Sequence, residues 1–161
     1  MIGDIGRSVI QMFDLNYKDS VMRNARKALD SRGLVYETTG DKITLGVKGD
    51  DFPIGMAIVP NEECKTLNIY CVVMFEIPEH ARSKLIPELN SLNNTINNGG
   101  YFMTEDSRII FKIVQSYNDC IPSVKTLDDL IGWAFSTVDA HDGKLKELIP
   151  EDAVRKDVMF Q

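Results

Sequence analysis

Apolar residues recur along this chain with two different periods. From Asp19 to Arg32 they fall at Val21, Met22, Ala25, Ala28 and Leu29. At ~100° per residue these positions share one face about 120° wide, which predicts an amphipathic helix. Gly33 stands at the helix stop, and Arg32 in the last turn suits the negative end of the helix dipole. After Gly33 the period changes to two. Leu34 to Thr38 leads into Gly40-Asp41, and Ile43, Leu45 and Val47 then alternate with Thr44 and Gly46. This spacing predicts a hairpin with a short turn. Ile54 to Val59 predicts a third strand, with the small Gly55 and Ala57 on one face, closed by a turn at Pro60-Asn61-Glu62-Glu63. Thr66 to Phe75 predicts the longest strand. Its odd face, Leu67, Ile69, Cys71, Val73 and Phe75, is wholly apolar; its even face opens on Asn68 and ends in Tyr70, Val72 and Met74. A strand that becomes apolar on both faces is either covered twice or presents a contact surface.

Pro78 at a first helical position, with Glu79 beside it, predicts a second helix whose stripe is Ala81, Leu85, Leu89, Leu92 and Ile96. Pro87 falls opposite that stripe, where a proline bends a helix round a curved core. Asn97-Asn98-Gly99-Gly100 ends the helix. Tyr101–Thr104 and Ile109–Tyr117 predict two more strands, joined at Glu105-Asp106-Ser107-Arg108. A last helix carries Leu127, Leu130, Ile131, Ala134 and Val138 on one stripe. Thr126 and Asp129 resemble a capping box, and Leu145 and Leu148 return to the stripe beyond Gly143. The connections are mostly too short for parallel crossovers. The expected fold class is α+β: a curved, largely antiparallel sheet with helices packed on it, in the order α-β-β-β-β-α-β-β-α. Residues 19–149 are expected to form this domain. Residues 1–18 read as an extension in which Ile5, Val9, Met12 and Phe13 have near-helical spacing, weakened by Gly3 and Gly6. Residues 150–161 read as a charged tail ending in Val158-Met159-Phe160.

Composition narrows the function classes. With 161 residues and 43% hydrophobic positions, the chain can bury a core without disulfide or metal staples. Eighteen basic against 24 acidic residues leave a net charge of −6, which argues against nucleic acid and anionic membranes as partners. The longest apolar run, Ile69 to Phe75, is too short to span a bilayer, and the first residues lack the basic-then-apolar order of a secretory signal. A soluble, cytoplasmic protein is expected. The three cysteines, Cys64, Cys71 and Cys120, are an odd, sparse set and read as reduced structural thiols.

Several residues within this order resemble the YbjN-like family, described as bacterial sensory transduction regulators. The resemblance spans about Asp19 to Ile149 and rests on three stretches. The first helix ends in Ala28-Leu29-Asp30-Ser31-Arg32-Gly33-Leu34. A strand feeds Ile77-Pro78-Glu79, and Leu89-Asn90-x-x-Asn93 runs on to Gly100-Tyr101-Phe102, the most specific of the three. Asp106-Ser107-Arg108-Ile109-Ile110-Phe111 stands where the family has an acidic turn and a late strand. This chain departs from the pattern in having Asp-Ser-Arg where Asp-Gly is more usual, and in Pro87. The resemblance implies a fold like that of the type III secretion chaperones, dimer formation and protein binding. It carries over no active site.

The residues themselves suggest little chemistry. Asp139-Ala140-His141-Asp142 sets a histidine between acids, and Asp139 and Asp142 can face together. His141, however, lies on the core stripe about 80° from Asp142, so it reads as a boundary histidine rather than a ligand. His80 reads as a surface residue, and neither histidine is near a cysteine in sequence. Asn90, Asn93, Asn94 and Asn97 recur at helical spacing; Asn93, beside the stripe, is expected to bond nearby backbone while the others face water. Gly99-Gly100 ends a helix and is no phosphate loop. No catalytic, cofactor-binding or metal-ligating residue is expected, and no cofactor. Trp133 lies about 120° off its helix stripe, so it is either tucked under a neighbouring segment, such as the N-terminal residues, or part of an interface. The expectation is a non-enzymatic protein-binding module, homodimeric, that regulates or chaperones another protein. Tyr70, Val72, Met74 and Trp133 are its partner-binding candidates. The rival is a small-molecule sensor or enzyme with a deep polar pocket between helices and sheet.

Overall fold

The computed structural model describes residues 2–149, with side chains from Tyr17 to Ile149. The charged tail from Pro150 and the side chains of Ile5, Val9, Met12 and Phe13 lie outside the described residues. The elements are α1 (Ile2–Ser31), β1 (Glu37–Thr39), β2 (Lys42–Lys48), β3 (Pro53–Asn61), β4 (Thr66–Val73), α2 (Arg82–Asn93), β5 (Gly100–Met103), β6 (Ile109–Ser116) and α3 (Val124–Glu147), with a 3-10 turn at Glu79–Ala81. The strands form one curved six-stranded sheet in the order β1-β2-β3-β4-β6-β5, antiparallel at every pairing. This is the α+β architecture and element order that the sequence predicts.

Period-two patterning decides which face is buried. Leu67, Ile69 and Cys71 on β4 are fully buried. The register sets Ile69 between Ile58 and Ile113, and Cys71 between Met56 and Phe111. Over this face lie Ala25, Ala28 and Leu29 of α1, Leu85 and Leu89 of α2, and Leu127, Ile131, Ala134 and Val138 of α3, all in one core. Gly33 ends the first helix in the left-handed region at φ 67°, as its position predicts.

Local departures have physical causes. β3 runs on through Pro60, which pairs with Leu67. Beyond Ile58, β3 has no β2 partner, so it is an edge there, where a missing N–H is tolerated. β4 ends at Val73, which leaves Met74 just past the strand. Pro78 caps the 3-10 turn rather than an α-helix, and α2 starts only at Arg82. Pro87 is exposed, on the side away from the core. The cap of α3 is Ser123, whose Oγ accepts from the Thr126 amide, and Asp129 instead pairs with Lys125. Leu148 follows α3 as its C-cap, outside the stripe and 36% exposed. Arg32 serves no helix dipole; it reaches across to Asp128 on α3. Ser107 holds φ 61° where a glycine would be easier, and its hydroxyl accepts from Arg82 at 2.7 Å.

Candidate functional site

Among the described residues the helices pack their buried side chains against the first face, and the register fixes what the second presents, with Gly55, Ala57 and Asn68 buried in it. Gly46, Gly55, Val72, Ile110 and Phe102 lie side by side in one row across five strands. The next row holds Thr44, Ala57, Tyr70 and Lys112, and the one beyond it Val59, Asn68 and Val114. Val72, Ile110 and Tyr70 are half-buried; Phe102 is 41% and Val114 51% exposed. A Cβ added at Gly46 would meet nothing within 4 Å. The small residues of β2 and β3 therefore make a shallow floor, with larger apolar side chains standing beside it on β4, β6 and β5. The Lys112 ammonium sits 5.5 Å from the centre of the Tyr70 ring, a cation–π contact that keeps a charge at the margin of the patch.

Of the predicted partner-binding residues, Tyr70 and Val72 lie on this face. Met74 follows the end of β4 and is half-buried. Trp133 stands apart in the helix layer. Its indole Nε1 donates to the Asn98 carbonyl at 2.9 Å, and the ring is 41% exposed. The segment it fastens is the α2–β5 connection. Ile110, Phe102 and Val114 join the patch without having been singled out in the sequence, because only strand order shows which strands flank β4.

The remaining candidates fall on the helix side. Asn93 bonds backbone as expected: its Nδ2 donates to the Tyr101 carbonyl at 2.9 Å, and its Oδ1 accepts from the Tyr101 amide at 2.7 Å. Asn90, Asn94 and Asn97 are exposed. His80 is exposed, and His141 is a half-buried boundary residue. Its Nδ1 lies 3.1 Å from the Tyr101 hydroxyl, and burial together with Lys144 pushes its pKa down, so the ring is held neutral. Burial pushes the Cys71 thiol up to about 12, which leaves it inert; Cys64 and Cys120 are exposed and free. Among the described residues no group of three or more His, Cys, Asp or Glu is placed to hold a metal ion. No described helix is long and apolar enough to cross a membrane. A depression of about 260 Å³, bordered by His80, Ala81, Lys84, Glu147, Leu148 and Ile149, opens at the end of α3 rather than between the helices and the sheet.

Three solved structures share this architecture. YbjN from E. coli, named as a candidate transcription regulator, superposes with a TM-score of 0.60 at 12% identity, over 76% of this chain and 88% of its own. The ExsC–ExsE complex matches with a TM-score of 0.54 at 12% identity, over 84% of this chain and 98% of the matched one. The ExoU–SpcU heterodimer of the type III secretion system of Pseudomonas aeruginosa matches at 0.51 and 14%, over 76% and 95%. The fold is thus YbjN-like and of the kind found in type III secretion chaperone complexes. No protein-family profile and no curated protein matches the sequence.

Proposed function

We propose that this chain is a non-enzymatic protein-binding module, of the regulator or chaperone kind, that seats an apolar segment of another protein on the open face of its sheet. The observation that carries this reading is the row Gly46, Gly55, Val72, Ile110 and Phe102, an apolar strip on the face opposite the one that the helices' buried side chains pack against. Covering it removes apolar surface from water, and the step from the glycine floor to Val72 and Ile110 gives side chains of the partner a relief to fit. Tyr70 and Met74 border the strip and complete the contact; Trp133 is a separate contact point in the helix layer. Two of the three similar structures are complexes with a second protein, which supports a binding role. The proposed working form is a cytoplasmic homodimer. The depression near His80 gives the rival small-molecule reading little support, since it is open and lies at the end of α3 rather than between the helices and the sheet.

The test is paired retrieval from native lysate with the tagged chain and its Val72→Ser/Met74→Ser variant, with circular dichroism on both. A partner held by the first and lost by a folded second supports the proposal. Equal recovery moves the site elsewhere, Trp133 first. Light scattering at tens of micromolar tests the homodimer, and a monomer mass there counts against it.

A further inference from the structure

Asp142, late in α3, is fully buried, and among the described residues neither oxygen of its carboxyl makes a hydrogen bond. A charged carboxylate in that state has lost its water and gained no donor. Its neighbours deepen the problem. Asp139 lies one turn earlier on α3, Asp50 and Asp51 come from the β2–β3 turn, and all three oppose its ionisation. The Gly143 amide is a favourable neighbour, but a weaker influence than burial and without hydrogen-bond geometry. From β5 the group is faced by the Tyr101 phenol, itself pushed up by burial, Cys71 and Asp142. His141 on α3 is held neutral and brings no positive charge.

The β2–β3 turn is fastened to α3 at this same place. The Asp50 amide donates to Asp139 Oδ1 at 2.7 Å, and the Gly49 amide donates to the Phe52 carbonyl at 3.1 Å. The approach is close enough that a Cβ on Gly143 would stand 2.5 Å from Asp51 Oδ2, and one on Gly49 would collide with Asp139 Oδ1. Three further carboxyl groups therefore stand close enough to Asp142 to oppose its charge where a turn seats on a helix. Either a cation or a proton could quiet them. Among the described residues the acids do not converge as metal ligands; a proton on Asp142 removes the one charge that is buried without a partner.

We propose that Asp142 is the proton sensor of a latch: neutral, it lets the β2–β3 turn seat on α3, and ionised, it drives the acidic cluster apart and releases the turn. Burial first, then Asp139, Asp51 and Asp50, raises the Asp142 pKa to about 6. The seated state holds a proton that a solvated aspartate gives up near its ordinary value of about 3.9, so seating weakens as pH rises between these values and is weakest above the higher one. His141 works in the opposite direction: its depressed pKa makes acid unfavourable to the fold below the usual histidine range. The difference between the wild type and Asp142→Asn isolates the Asp142 contribution from that of His141.

The experiment follows hydrogen exchange of the Asp50 amide and the Asp142 carboxyl resonance in the full chain from pH 5 to 7.5. Relative to Asp142→Asn, wild-type Asp50 protection, corrected for intrinsic exchange, falls by about tenfold across the range, and the Asp142→Asn profile itself does not fall. Asp51→Asn moves the Asp142 midpoint to lower pH by removing a like charge. A wild-type profile that is flat relative to Asp142→Asn, or an Asp142→Asn profile that falls with it, overturns the latch. So does an Asp142 midpoint in the ordinary carboxylate range. Restored protection at pH 7.5 on adding millimolar calcium or magnesium chloride overturns it in favour of a cation site. If Asp142→Asn does not fold, the wild-type midpoint and its shift in Asp51→Asn decide alone.

Discussion

The two faces of the sheet come from the same strands yet differ in cover: along β4 the first presents Leu67, Ile69, Cys71 and Val73, the second Asn68, Tyr70 and Val72. On the covered face Leu67, Ile69, Cys71 and Phe111 are fully buried under three helices. On the open face their neighbours Val72, Ile110 and Phe102 stay half-buried or exposed. A chain that needs only to fold has no use for the second apolar face, since an antiparallel sheet can leave one side polar and wet. The docking role proposed for this chain would give that face a use.

Substitutions placed on either face test that division. The largest effect is expected on the covered face: Ile69→Ala, between Ile58 and Ile113, should cost about 2–5 kcal/mol in urea denaturation. A loss under about 1 kcal/mol would mean that the helices do not clamp this face. Next, Val72→Ser with Ile110→Ser should weaken partner binding by about 1–3 kcal/mol. Each of these half-buried side chains should give up about 1 kcal/mol of stability at most. If the pair instead unfolds the chain, the open face belongs to the folding core. Asn93→Ala strips the Tyr101 amide and carbonyl of their partner and should cost about 1–2 kcal/mol of thermal or urea stability. Val114→Ser, at an apolar position of the open face that is 51% exposed, should change stability by no more than about 0.5 kcal/mol. A larger loss would show that this margin is covered in the free protein.

Much of the fold is legible in the sequence because the strands keep strict alternation and the helices keep their stripes. Ile69, Cys71, Leu85 and Ile131 fall where their period puts them. The errors cluster at ends, where periodicity is silent. The cap of α3 is Ser123, three residues before Thr126, since a hydroxyl, an amide and a helical turn suit either position until the helix is in place. The open face was half legible. Tyr70 and Val72 announce themselves along one strand, whereas Ile110 and Phe102 join them only through the β4-β6-β5 order. Asp142 was the least legible. Its neighbours in sequence are polar, and nothing local signals that the β2–β3 turn, about ninety residues earlier in the chain, will fold over it.

The amide of Asn93 has a consequence for how copies of this protein can add to one another. Its paired bonds to Tyr101 imitate a neighbouring strand. β5 is four residues long, and by alternation only Tyr101 and Met103 direct their backbone groups outward. With Tyr101 occupied, this border keeps only Met103 to offer an added strand, while the other border, at β1, pairs with no further strand among the described residues. Unlimited growth by strand addition needs two receptive borders on every molecule. A chain with one receptive border that joined a second copy border to border would have little left to offer, so edge pairing of this kind would favour a closed pair over a fibre.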